Sequence, residues 1–264
     1  MFYYFSYASN MNMASLRAKG VVPAATEKAE LSGWKLSFNV RHWFRHEGGV
    51  ANIVPAGLDE KVIGLVHLID DEHLAMLDAV ESYGEGYDRT HVNLTTALGP
   101  INAVTYIGLP GYIDNNRLPT QRYINLIVEG AHSAEIDEDY ISKISALTVQ
   151  DAPSYPRFRA PTNLPTPPVF NEQTLALNPL YTALLDAVFD MQYARQDLHC
   201  VHSLLGGKDT SLFHLKRHDS SDGSETLKDI AEGNIPELAK QYLNAYLHEY
   251  NAEFRYVGIY QPNN

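Results

Sequence analysis

Cysteine is almost missing from this sequence: Cys200 is the only one in 264 residues, so an intramolecular disulfide and the Cys-rich zinc frameworks are both excluded. A reducing, cytoplasmic setting is the expectation. Basic residues are scarce as well. Twenty Lys and Arg stand against 32 Asp and Glu, a formal net charge of −12, which argues against a nucleic-acid partner tracking phosphates. No stretch approaches the roughly 18 consecutive apolar residues of a spanning helix, so no membrane partner is expected either. The apolar opening residues lack a basic n-region and are interrupted at Ser6, Ser9 and Asn10, unlike a secretory leader. A phosphate loop is also missing, because LLGGKD (204–209) has neither the first glycine nor the Ser or Thr that such a loop needs.

What is present suits one domain with a large extension, or two small ones, since 45% of the residues are hydrophobic. The character of the chain changes near residue 150. Before it, WKLSFNV (34–40), VIGLVHLI (62–69), DRTHVNLTTA (88–97) and INAVTYIGL (101–109) read as short strands between Gly, Pro and Asn punctuation. Between them, residues 70–84 carry Leu74, Leu77 and Val80 at helical spacing. A second helix is expected from Thr120, with Tyr123, Ile124, Ile127 and Val128 on one face and Gly130 as its stop. Seven prolines in residues 151–180 rule out a long helix or a central strand there, and predict a linker or a strap over the first domain. Two further helices are expected, over 181–205 and 235–254. The expected organisation is therefore a first domain over 1–150, a strap over 151–180 and a helical extension over 181–264.

The residues YFSYASN (4–10) resemble the Tyr-Phe-Ala-Tyr-Gly-Ser-Asn signature that opens γ-glutamylcyclotransferase-like proteins. AELSGWKLSFN (29–39), residues 48–82 and PTQRYINLIVEGA (119–131) continue the similarity in the family's order. Residues 1–150 thus resemble that family, and nothing after them does. The resemblance implies an α+β fold, a small β-barrel with flanking helices, followed here by a mainly helical C-terminal extension. It also implies a cofactor-independent enzyme that releases 5-oxoproline from a small-molecule γ-glutamyl substrate. By position, Tyr4, Phe5, Ser6, Tyr7, Ala8, Ser9 and Asn10 form the substrate-binding segment, and Glu81 in LDAVES is the acid/base carboxylate. Ala8 stands where the family has glycine, and Ser82 stands where it usually has glycine.

Chemistry gives these assignments a reason. Cyclising a γ-glutamyl amide requires the substrate's α-amine to lose a proton and the departing amine to regain one, and a single carboxylate in a largely apolar pocket performs both transfers. A strand that breaks into small polar residues exposes successive main-chain N–H groups, which hold an anion without a basic side chain. The backbone of Tyr4, Phe5 and Tyr7, not their rings, is expected to bind. Asn10 is expected to lead into a short helix over 12–20, with its N-terminus near the same anion. On spacing alone Glu81 is more often a solvated helix end, and Glu85 between two glycines is a weaker competing candidate.

A non-catalytic ligand-binding or biosynthetic-accessory module on the same fold is the rival reading. A homodimer is compatible with the amphipathic C-terminal helices. Two histidine pairs, His199 with His202 and His214 with His218, lie near Cys200 at spacings that suit metal ligation. Surface or hydrogen-bonded histidines in an acidic protein explain them better, and no metal is assigned.

Overall fold

Three of the four expected runs, 62–69, 88–97 and 101–109, join two further strands in a closed barrel, and WKLSFNV (34–40) lies outside it. The computed structural model describes residues 1–162 and 164–262, and the chain divides into two units, Met1–Ala152 and Pro153–Asn264. In the first unit the strands are β1 (Phe2–Ser6), β2 (Ala25–Ser32), β3 (Trp34–Arg41), β4 (Gly49–Pro55), β5 (Lys61–Ile69), β6 (Tyr87–Thr96) and β7 (Gly99–Gly108). The closed barrel runs β1-β5-β2-β6-β7, and β3 and β4 form a separate two-stranded ribbon. Closure removes the open sheet edges that would otherwise offer unpaired N–H and C=O groups. Four helices accompany the strands: α1 (Met13–Ala18), α2 (Leu74–Glu81), α3 (Gln121–Ser133) and α4 (Glu138–Ser145).

The main core contains Phe5, Ile53, Val62, Val66, Leu94, Ile124 and Ile127, from barrel, ribbon and α3. A second cluster gathers Tyr4, Leu16, Val21, Ile69, Leu77 and Tyr106, and so ties α1 and α2 to the barrel. Thr120 caps α3 by accepting from Tyr123 N at 3.2 Å. Gly130 does not end α3, which runs on to Ser133. It is placed by packing instead: a Cβ there would lie 2.6 Å from Asn12 N and 2.7 Å from Met11 C.

The second unit holds β8 (Val169–Phe170), β9 (Tyr181–Leu184), β10 (Ala187–Asp190), β11 (Lys208–Asp209) and β12 (Arg255–Tyr260), in the order β11-β9-β10-β12-β8. Its helices are α5 (Glu172–Ala176), α6 (His202–Leu205), α7 (Ser211–Leu215), α8 (Leu227–Glu232) and α9 (Glu237–Glu253). The single helix expected over 181–205 is not formed. Residues 181–190 are a hairpin that reverses at Leu185, φ 55°, whose N–H donates to Ser211 Oγ at 2.7 Å. The apolar run is short enough to serve either element, and pairing with β12 decides it. On α9, Leu243, Tyr246, Leu247 and Tyr250 are all buried, so this stripe is core.

Within the proline-rich segment, Phe158 N donates to Asn244 Oδ1 at 2.7 Å and Tyr155 OH donates to Glu249 Oε1 at 3.2 Å. The described strap thus docks on α9 of its own unit. Asn163, inside the strap, lies outside the described residues. Among the described residues no three His, Cys, Asp or Glu side chains are grouped to hold a metal. His214 shares a hydrogen bond of 2.8 Å with Tyr250 OH, and His218 one of 2.8 Å with Ser220 Oγ.

Candidate active site

The site begins where β1 ends. β1 lies between β5, with Tyr4 opposite His67, and β7, with Tyr4 opposite Val104. After Ser6 the chain leaves the barrel, passes Ala8 at φ −146°, and enters a 3-10 turn over Ser9–Met11 closed by Met11 N donating to Ala8 O at 2.8 Å. Ala8 is not in the positive-φ region that favours glycine, so its methyl group meets no left-handed penalty there.

Asn10 precedes the helix that follows, as expected, and the cap is Asn12, whose Oδ1 accepts from Ser15 N at 3.0 Å. Asn10 is thereby left for the site. It is buried, and its Nδ2 donates to Tyr4 OH at 2.6 Å and to Glu81 Oε1 at 2.9 Å.

Glu81 is the last residue of α2. One turn earlier Leu77 is fully buried, a burial worth about 2 kcal/mol. Residues four apart share a helix face, so anchoring Leu77 turns position 81 inward. Ser82 then closes the helix in the left-handed region at φ 50°, which gives a physical reason for a glycine there in the resembled family. Asp78 accepts from Tyr106 OH at 2.7 Å and pairs with Arg89 at 3.4 Å.

These elements enclose a cleft of about 310 Å³, counted out to its mouth, lined by Tyr4, Tyr7, Ala8, Ser9, Asn10, Ala51, Glu81, Tyr87, Tyr106 and Tyr123. Glu81 is the only carboxylate among these lining residues. Glu85 is exposed and meets Tyr112 OH at 3.4 Å. Two of the expected binding residues do not line the cleft. Phe5 is fully buried in the main core, and Ser6 Oγ hydrogen-bonds His67 Nε2 at 2.8 Å.

Tyr4 and Tyr7 do line it, and the Tyr4 hydroxyl accepts from Asn10 Nδ2 at 2.6 Å. Ala51, Tyr87, Tyr106 and Tyr123 have no motif to announce them. Tyr123 was legible only as a buried-face residue of α3, and Tyr87 and Tyr106 only as residues within or beside strands.

Burial, reinforced by the nearby Glu81 charge, holds the Tyr4 and Tyr7 hydroxyls well above the usual phenol range. Burial likewise raises Tyr87 and Tyr106, and pushes Tyr123 up to about 12. At neutral pH the wall is therefore made of protonated phenols. Several are already committed: Tyr7 OH donates to Tyr106 O at 2.6 Å, Tyr87 OH donates to Ala51 O at 2.7 Å, and Tyr123 OH accepts from Ala51 N at 3.3 Å. The arrangement sets one carboxylate among neutral hydroxyls, beside a main-chain turn of small residues.

Residues 61–144, from β5 through nearly all of α4, match the sequence model of the AIG2-like family. An uncharacterized protein from Homo sapiens, loc79017, superimposes with a TM-score of 0.51 at 23% identity, over 58% of this chain and 92% of that one. Residues 61–144 of the first unit are AIG2-like.

Other solved structures similar to this chain include a gamma-glutamyl cyclotransferase (TM-score 0.49, 22% identity, 57% of this chain and 89% of that one). YkqA from Bacillus subtilis is another, with TM-score 0.47, 21% identity and 56% of each chain covered. No curated protein matches the sequence. The family match takes in Glu81, Tyr87, Tyr106 and Tyr123 of the first unit, and stops short of the Tyr4–Asn10 segment. Among the described residues, no helix is long and apolar enough to cross a membrane.

His67 supports the site from behind, with its ring stacked 5.9 Å from Tyr4 and Nδ1 at 2.8 Å from Thr26 Oγ1. Burial lowers its pKa from 6.5 to about 4. The unfolded chain therefore binds the extra proton between about pH 6.5 and 4, and the stability that His67 contributes is lost as pH falls through that window. The expected loss between pH 7 and pH 5 is about 2 kcal/mol. Urea unfolding at both pH values checks this: the difference shrinks in His67→Gln, and an unchanged difference contradicts it.

Proposed function

We propose that the first unit is a γ-glutamylcyclotransferase-type enzyme that releases 5-oxoproline from a γ-glutamyl amide by intramolecular aminolysis. The observation that carries this reading is the Glu81 carboxylate in one cleft with the Ala8–Asn10 turn. Glu81 takes a proton from the substrate's α-amine as that nitrogen attacks the γ-carbonyl carbon. The new N–C bond closes a five-membered ring, the original amide C–N bond breaks, and Glu81 returns the proton to the departing amine nitrogen. No oxidant, metal or second substrate enters the balance. Placing attacking nitrogen and carbonyl in one small cleft removes much of the entropic barrier, and the proton transfers supply a further 10²–10⁴-fold or so.

The oxygen that gains charge during attack is received by the small-residue turn, whose first N–H groups have no acceptor within a 3-10 turn. The Tyr4 hydroxyl, held protonated by burial, is a second donor on the same wall. A protein with one cysteine and a reducing-compartment composition is consistent with work on such substrates in the cytoplasm.

The test is a panel of γ-glutamyl amino acids, γ-glutamyl amines and glutathione, with 5-oxoproline as the measured product. Release from at least one member is expected. No product from any member, together with saturable binding of one, would instead support the ligand-binding module.

A further inference from the structure

We propose that Lys19 is a positioning residue for the Glu81 carboxylate, acting through the side-chain amide of Asn10; the role rests on the cyclotransferase reading above. Lys19 ends α1 and is only 5% exposed. A buried ammonium is costly unless acceptors meet it, and its Nζ donates to Asn10 Oδ1 and, at 3.4 Å, to Ser9 Oγ. Lys19 does not line the cleft. It reaches the site through Asn10.

A primary amide has one accepting end and one donating end. With the cation at Oδ1, the amide is held so that Nδ2 faces Glu81 Oε1 at 2.9 Å and Tyr4 OH at 2.6 Å. The flipped rotamer would press N–H against ammonium and turn a carbonyl dipole toward a carboxylate, two repulsive contacts in place of two attractive ones. Lys19 thus sets the direction of the Asn10 amide, and the amide fixes the carboxylate at the end of α2. It also occupies the Tyr4 oxygen as an acceptor, which turns the Tyr4 proton away from Asn10. A base that must collect and return a proton works only if it is held in place to a fraction of an ångström.

Lys19→Met keeps length and removes the donor. Its kcat for 5-oxoproline release is expected to fall at least about tenfold with KM changed less than about threefold. Lys19→Gln retains an N–H for Asn10 Oδ1 and is expected to restore kcat to within about threefold of wild type. In an Asn10→Ala background the same Lys19→Met change should cost less than about twofold, since the intermediary is gone. Equal losses in the two backgrounds would overturn the proposal.

A readout independent of turnover is the ¹⁵N-labelled Asn10 side-chain amide, whose protons should exchange slowly in wild type and in Lys19→Gln, and at least about tenfold faster in Lys19→Met. Unchanged exchange in Lys19→Met overturns the proposal whether or not product forms. Should that variant not fold, fast exchange in Lys19→Gln does the same. Slow exchange in wild type with no 5-oxoproline from any substrate would overturn only the cyclotransferase reading.

Discussion

Glu81→Gln is expected to lower 5-oxoproline release by about 10³-fold or more while leaving the fold intact. General acid–base groups contribute roughly 10²–10⁴-fold, and here one carboxylate is assigned both transfers, so the loss belongs at the upper half of that range. Gln preserves the shape of the side chain and an oxygen to accept from Asn10 Nδ2, so the thermal midpoint should move by only a few degrees. KM should change little, because the substrate's anionic group is assigned to the turn and not to Glu81. Glu85→Gln is the matched control. That exposed carboxylate lies outside the cleft lining, and its removal should leave kcat within about twofold. Full activity in Glu81→Gln would remove the base from the account.

Gly130→Ala has the second large effect, and its sign is the informative part. In an ordinary helix interior, Gly→Ala stabilises by about 1 kcal/mol. At this position the new methyl would stand 2.6 Å from Asn12 N and 2.7 Å from Met11 C, both main-chain atoms that cannot rotate aside. Overpacking of this kind costs about 1–3 kcal/mol or more, so the net expectation is destabilisation by about 2 kcal/mol. The atoms that must retreat belong to the turn carrying Ser9 and Asn10. Activity should therefore drop at least about tenfold even at temperatures where the variant is fully folded, since shifts of an ångström are costly to a positioned site. Urea unfolding and steady-state kinetics measure the two effects. A stabilised, fully active Gly130→Ala would show that the turn does not depend on this contact.

Gly130 also marks where reading the chain fell short. As a letter in sequence it is a helix stop; in the fold it is a close approach between α3 and the turn, and nothing local distinguishes the two. Three of the barrel strands were legible because β-branched alternation and turn residues bound each run, as in residues 62–69 and 101–109, whereas the charged run of β2 was not. Glu81 was singled out by the resemblance of LDAVES to the family's acidic element, since its spacing alone fits a solvated helix end better. The tyrosine wall was not. Tyr87, Tyr106 and Tyr123 come from three elements distant in sequence, and alternation separates inside from outside without separating cleft from core. Lys19 follows a short helix where a solvated lysine is the ordinary expectation, and only tertiary packing buries it.

The hairpin at 181–190 was hidden for another reason. Its reversal is made by Leu185 in the left-handed region, with none of the Asn-Gly or Asp-Gly chemistry that usually announces a two-residue turn. Ser82 is the converse case. The sequence shows a serine where the resembled family usually has glycine, and the left-handed φ of 50° shows what conformation a glycine would serve there.

The central claim is that Glu81 and the Ala8–Asn10 turn act on one bound γ-glutamyl group. The measurement closest to it is a crystal structure of Glu81→Gln soaked with a γ-glutamyl amide that the wild-type protein consumes. The account predicts the α-amine within about 2.6–3.2 Å of the residue 81 side chain and the γ-carbonyl oxygen against the main chain of the turn. A ligand whose amine faces away from residue 81, or one bound outside the tyrosine-lined cleft, would contradict it.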